Sequence, residues 1–149
     1  MIAVLQRVTS ASVEIDGKIH SSITRGLLVY LGVATGDEEG DTKKLAEKIV
    51  GLRIFADEVA PMNRSLCDTH GEILVVSQFT LLADTTKGRR PNFLNAAEPD
   101  AARKLYDKFC SALQEEGTDV QRGVFGAHMQ VTSVNDGPVT IILDSKKKQ

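Results

Sequence analysis

Two short runs of this chain carry polar side chains where packing alone does not call for them. In Ser77-Gln78-Phe79-Thr80-Leu81, three polar residues follow the apolar run Ile73-Leu74-Val75-Val76. Strand ends of this kind collect functional groups, because main-chain N–H groups left unpaired there can hold an oxyanion. A plainer reading stays open: a strand leaving the core, its polar side chains bonding nearby backbone. The second run is Asn135-Asp136-Gly137-Pro138-Val139-Thr140. On turn chemistry it reads as a hairpin turn, and its Gly-Pro step also permits a cis bond.

The usual catalytic sets are missing. His20, His70 and His128 have no HxxxH or HExxH spacing, so no metal is expected. Neither GxGxxG nor GxxxxGK[ST] occurs, and no cofactor is expected. Ser77 lacks the flanking glycines of a nucleophile elbow, although a triad could still assemble in space around it. Cys67 and Cys110 match no metal or redox spacing and read as buried free thiols. Phe125 and Met129 suit either the core or a pocket wall. Lys87, Arg89 and Arg90 form a basic cluster that could meet nucleic-acid phosphates or simply face solvent.

The elements that would position these residues can be read from pattern. Val13-Glu14-Ile15, Asp16-Gly17 and Lys18-Ile19 make a hairpin signal after a first strand over Ile2 to Val8. Gly26 to Val33 and Glu72 to Phe79 are apolar on both faces, as strands buried on two sides are. Helical spacing follows Asp41, the expected N-cap, with Leu45, Ile49 and Leu52 on one face. A second helix starts at Pro99, places Ala102, Leu105, Tyr106, Phe109 and Leu113 on one stripe, and stops at Gly117. Strand-like runs then cover Val120 to Val124, Met129 to Val134 and Val139 to Leu143. The order predicts an α/β fold, mixed β-sheets with two main helices packed on them in a single layered domain. The domain spans 1–145, and 146–149 read as a lysine-rich, disordered tail.

Composition narrows the class. With 149 residues, 42% hydrophobic and 26% charged, the chain has the make-up of one soluble domain. Its longest apolar-plus-glycine stretch, Gly26 to Ala34, is far short of the roughly 20 residues of a membrane span. No basic region precedes the apolar start, so no signal peptide is read and a cytoplasmic location follows by default. Setting aside Lys146, Lys147 and Lys148 takes the net charge from −2 to −5. An acidic body argues against tight sequence-independent nucleic-acid binding.

Taken together the two runs resemble the signature motifs of the D-aminoacyl-tRNA deacylase (D-tyrosyl-tRNA(Tyr) deacylase) family. The likeness extends through Met1 to Val8, Gly51-Leu52-Arg53-Ile54-Phe55, Met62-Asn63, Arg90-Pro91-Asn92-Phe93 and Gly123 to Ala127, and so covers the chain to about Leu143. It implies a proofreading hydrolase acting on a D-amino acid esterified to the 3′ terminal adenosine of a tRNA. It further implies that the RNA's own ribose 2′-hydroxyl assists catalysis. By this resemblance Ser77, Gln78, Phe79 and Thr80 form the catalytic segment, with the Phe79 and Thr80 N–H groups facing the ester carbonyl. Gly137 and Pro138, joined cis, would reach into the other subunit of a homodimer and reject L-aminoacyl esters sterically, with Arg7 bracing their loop. Phe125 and Met129 would line the pocket, and glycyl-tRNA would leak through as a side substrate. The two rivals are a nucleic-acid-binding module without hydrolysis and a Ser77-dependent esterase of small esters.

Overall fold

The computed structural model describes residues 1–147. The chain runs β1 (Ile2–Ile15), β2 (Lys18–Ile23), β3 (Gly26–Gly32), α1 (Glu39–Gly51), α2 (Leu66–Thr69), β4 (Glu72–Ser77), a 3-10 turn (Phe79–Leu82), α3 (Pro99–Glu115), β5 (Asp119–Arg122) and β6 (Gln130–Asp144). The sheet is mixed: β3, β4 and β5 run parallel, while β1 pairs antiparallel with β2, β3 and β6. The expected mixed sheet with two main helices is the fold observed.

The double-sided burial of β3 and β4 has two sources. Leu27, Val29, Leu31, Ile73 and Val75 pack in one core with Leu45, Ile49, Tyr106, Phe109 and Leu113 of the two main helices. Leu28, Leu74 and Val76 alternate onto the opposite face and pack with Val8, Ala11, Val13 and Ile23. β1 serves both cores because it outruns its partner β3. Its first half places Ala3 and Leu5 in the helix-side core; after the register shifts near Arg7 and Thr9, its second half places Val8, Ala11 and Val13 in the other. The sheet therefore curls over the face of β3 and β4 that the helices leave open.

Turn chemistry accounts for the connections. Asp16 (φ 50°) and Gly17 (φ 75°) take the left-handed pair of angles that a two-residue hairpin needs. Pro99 opens α3, and Gly117 follows its C-cap Glu116. The N-cap of α1 is Glu38 rather than Asp41, because the Glu38 side chain accepts from the N3 backbone and Asp41 reaches back from N3 to the Glu38 N–H at 2.9 Å. The second half of the thiol expectation also needs correction: Cys110 is buried but Cys67, on the short α2, is exposed.

Lys146 and Lys147 form a turn, which corrects the expectation of a disordered tail at these two positions; 148 and 149 lie outside the described residues. Lys146 Nζ sits 2.6 Å from Asp41 Oδ2 and 3.9 Å from Asp37 Oδ1. Burial pulls the Asp41 carboxyl upward, but the Lys146 ammonium, the Glu38 N–H and Ser145 outweigh it and hold it down at about 2. A carboxyl depressed in the folded state stabilises above its unfolded pKa of about 3.9 and loses that contribution as pH falls towards the folded value. Acid unfolding followed by circular dichroism between pH 4 and pH 2 is therefore expected to begin at higher pH in Lys146→Ala than in the parent chain.

Candidate functional site

β4 is buried from Ile73 to Val76 and surfaces at Ser77. The Gln78 N–H still donates to Leu31 O at 2.8 Å, the last rung against β3, before the backbone breaks from extended geometry. In the 3-10 turn that follows, Leu81 N–H returns to Gln78 O at 3.3 Å and Ala83 N–H to Thr80 O at 3.1 Å. Phe79 and Thr80, as its first two residues, have no acceptor for their N–H groups inside the turn. The Gln78 side-chain amide donates to Thr80 Oγ1, which leaves the threonine's own proton free to donate elsewhere. Phe79 is 58% exposed and packs edge-on against Phe93, their ring centroids 5.0 Å apart.

A cavity of about 320 Å³ opens at this strand end. Ser77, Gln78 and Phe79 line it together with Leu31, Val33, Val76, Ala102, Tyr106, Val131 and the stretch Phe125 to Met129. Phe125 and Met129 are thus pocket wall and core margin at once: each also packs on a buried cluster. Tyr106 ties the wall together. Its hydroxyl donates to Val75 O at 2.9 Å, the Gly123 N–H donates to the same carbonyl at 2.8 Å, and its ring lies 5.9 Å from that of Phe125. The Arg103 guanidinium covers Phe125 from outside at 4.9 Å.

Burial holds two groups at this cavity in their protonated forms. Burial pushes the Tyr106 hydroxyl well above its ordinary range. Burial likewise pushes the neighbouring Cys110 thiol up to about 11, against the pull of Arg122 and of the Tyr106 hydroxyl. His128 is exposed at the cavity edge, and no aspartate or glutamate lines it. A Ser77 triad would need an acid that this lining does not supply. Among the described residues, no group of three or more His, Cys, Asp or Glu is placed to hold a metal ion.

The Asn135 to Thr140 segment is not the hairpin turn its composition suggests. β6 is one strand running along β1, with Val8 opposite Asn135 and Gln6 opposite Thr140. Arg7 alone therefore faces residues 136–139, a bulge within β6 whose Gly137 and Pro138 stand outward as an exposed loop while Val139 returns to the core. The Asn135 amide closes the neck by donating to Arg7 O at 2.9 Å and to Val139 O at 3.2 Å. Arg7 Nε lies 3.1 Å from Asp136 Oδ2 as an ion pair, out of line for a hydrogen bond, while its Nη1 donates to Ile54 O. Gly137 has φ +107°, and a Cβ there would run into the Arg7 guanidinium, so glycine is the residue that fits.

The Gly137–Pro138 bond is trans, which corrects the expectation of a cis bond. Both residues are exposed, and trans is the favoured isomer where packing imposes nothing else. Nor does this loop meet the cavity of its own chain. Arg7 pairs with Leu27 of β3, whereas Ser77 pairs with Leu31, about 13 Å further along the strand. The structure thus brings Ser77, Gln78, Phe79, Phe125 and Met129 together. Thr80 sits beside them in the turn, and Arg7, Gly137 and Pro138 gather at a second place. Sequence reasoning missed Tyr106 and His128 as cavity residues. The first was hidden in the helical stripe, and the second carried no spacing signal.

Comparison with known proteins places this geometry in a family. The model of the D-Tyr-tRNA(Tyr) deacylase family matches residues 4–144. A D-aminoacyl-tRNA deacylase of Thermosipho africanus is 56% identical over 147 residues, covering 99% of each chain. One from Cytophaga hutchinsonii is 56% identical over 150 residues, covering all of both. The solved structure of a c-Myc DNA unwinding element binding protein superposes with a TM-score of 0.93 at 41% identity, covering 99% of this chain and all of that one. A probable eukaryotic D-amino acid tRNA deacylase shares the fold, with a TM-score of 0.82 at 19% identity over 95% of this chain and 97% of its own. From Val4 to Asp144, with both motifs in place, the chain belongs to the D-Tyr-tRNA(Tyr) deacylase family.

Proposed function

We propose that this protein hydrolyses the ester linking a D-amino acid to the 3′ terminal adenosine of tRNA. Water adds to the ester carbonyl carbon, the bond to the ribose oxygen breaks, and free tRNA and D-amino acid leave. The observation that carries the reading is the relationship to D-aminoacyl-tRNA deacylases at more than half identity over the whole chain. The cavity is consistent with it: two N–H groups beside it that have no acceptor within the turn, Phe79 and Thr80, suit a carbonyl oxygen gaining charge, and preorganised donors of this kind can each supply several kcal/mol. Thr80's hydroxyl, fixed by Gln78, orients the ester or the water. No carboxylate lines the cavity to complete a triad with Ser77 or to orient His128, and in this reading the ribose 2′-hydroxyl next to the ester assists the attacking water.

Selectivity rests on exclusion. D side chains differ too much in size and polarity to be recognised individually, whereas blocking the L position works against all of them. In the proposed homodimer, the Arg7-braced loop of one copy enters the cavity of the other and occupies the space an L side chain needs. Glycine has no side chain to block and passes as a side substrate. The test is parallel deacylation of D-tyrosyl-, L-tyrosyl- and glycyl-tRNA by the purified protein. Release from the D and glycyl esters with the L ester preserved is expected; release from none, or from D and L alike, overturns the reading. The relative named for binding a DNA unwinding element favours a second reading, a nucleic-acid-binding module, and the same assay answers it, since a pure binder preserves all three esters.

A further inference from the structure

Charge is distributed unevenly around the cavity. Between Phe79 and Ala97 there is one acid, Asp84, against Lys87, Arg89 and Arg90, in a chain whose net charge is −2. Asp84 is already occupied. Its carboxylate accepts from the Thr86 N–H at 2.9 Å and from the Asn92 amide at 3.2 Å, contacts that lower its pKa. The three basic side chains are exposed and, among the described residues, make no ion pair, although Arg7, Lys108, Arg122 and Lys146 all do.

The loop that carries them is fastened to the cavity. Asp84 and Asn92 pair through two backbone hydrogen bonds of 2.9 and 3.0 Å, which makes a neck for residues 85–91. On one side the neck continues directly from the 3-10 turn that holds Phe79 and Thr80; on the other, Phe93 rests on the Phe79 ring. The return stretch is pinned to the end of β3, with Thr35 N–H on Asn95 O at 2.9 Å and Ala97 N–H on Val33 O at 3.0 Å. Lys87 is three residues from the neck, so its backbone lies within about 10 Å of it. Three cations without an ion pair among the described residues are thus carried on a loop whose neck is fastened to the turn at the rim of the cavity.

We propose that Lys87, Arg89 and Arg90 hold backbone phosphates of the RNA strand whose 3′ end enters the cavity. The proposal rests on the deacylase reading for the identity of that strand. It reconciles an acidic body with an RNA substrate: a local grip at the mouth replaces a basic surface. Such a grip releases counterions and is sensitive to salt, by a slope of about 0.7 per phosphate on a single strand.

The test compares the parent with the triple variant Lys87→Gln/Arg89→Gln/Arg90→Gln, on D-tyrosyl-tRNA and on D-tyrosyl-adenosine, which has no phosphates. Raising salt from 50 to 200 mM is expected to lower the parent's kcat/KM on the tRNA about 20-fold more than the variant's, the effect of three contacts. On D-tyrosyl-adenosine the two proteins are expected to match. A variant that keeps the parent's salt slope overturns the proposal. So does a variant equally impaired on D-tyrosyl-adenosine, for the loop then acts by shaping the cavity. Filter binding of uncharged tRNA at the two salt concentrations reads the same grip without hydrolysis. A parent inert towards both esters thus overturns the deacylase reading, while the binding slopes still decide the loop.

Discussion

Replacing the terminal adenosine of D-tyrosyl-tRNA by 2′-deoxyadenosine is expected to slow its hydrolysis about 10²–10⁴-fold, the range that positioned base catalysis contributes. Ser77→Ala, by contrast, is expected to leave the rate close to that of the parent. The contrast follows from what lines the cavity. Tyr106 is the one phenol there, and its hydroxyl is buried, raised in pKa and already donating to Val75 O at 2.9 Å. His128 stands at the edge without a carboxylate in the lining to orient it. A serine or threonine hydroxyl without such a base is a weak nucleophile. Under the proposed reading, the N–H groups of Phe79 and Thr80 and the apolar wall stabilise charge and fix orientation but remove no proton. In the proposed mechanism the ribose hydroxyl adjacent to the ester activates the water instead. Single-turnover rates on the ribo and deoxy substrates, for the parent and Ser77→Ala, provide the check. A dead serine variant that coexists with full activity on the deoxy substrate would transfer the chemistry to Ser77.

How much of this was legible beforehand depends on the range over which each feature is determined. Asp16-Gly17, Pro99 and Gly117 act within a few residues, and each sits where the sequence predicts it. The double-sided apolar runs of β3 and β4 were equally readable, since burial on both faces is written in consecutive residues. The length of β1 was not. Ile2 to Val8 reads as a strand that ends, because the alternation changes phase around Arg7 and Thr9; in the folded chain those changes are register shifts against β6, and the strand continues to Ile15.

The same limit governs the second motif. Asn135, Asp136 and Gly137 have the composition of a turn, and nothing local says that Arg7, some 130 residues earlier, stands opposite them. Once it does, each residue type has a reason: an amide to bridge the neck, a carboxylate for the guanidinium, and a glycine where a Cβ has no room. Tyr106 was visible only as a member of the helical stripe. That its hydroxyl reaches Val75 O depends on how α3 lies across β4, which periodicity does not encode. The Gly-Pro isomer is likewise set by context, and here the exposed loop takes the commoner trans form.

Arg7→Ala is expected to erode the discrimination between mirror-image substrates more than the reaction itself. The guanidinium makes two separate attachments, the ion pair to Asp136 of the loop and the hydrogen bond to Ile54 O that anchors it, and it fills the space a Cβ at Gly137 would need. Under the proposed dimeric reading, rejection of the L ester depends on the loop's shape resisting a side chain. A loop that yields by about 1–3 kcal/mol admits it, which raises hydrolysis of L-tyrosyl-tRNA about 10–200-fold. The D ester meets no such obstruction, so its kcat changes little. Arg7→Lys keeps the charge but loses the planar fork, and an intermediate ratio of L to D rates is expected. Because Arg7 is only 11% exposed, thermal unfolding of each variant is measured alongside, so that a general loss of stability is recognised. The informative quantity is the L to D ratio, which a merely destabilised fold leaves unchanged while both rates fall together. If both rates do fall together at a fixed ratio, the loop serves the architecture and the L ester is rejected elsewhere. Dilution supplies the complementary reading. A barrier contributed by a second copy weakens as the dimer dissociates, so the ratio rises with falling protein concentration, whereas a barrier within one chain is indifferent to it.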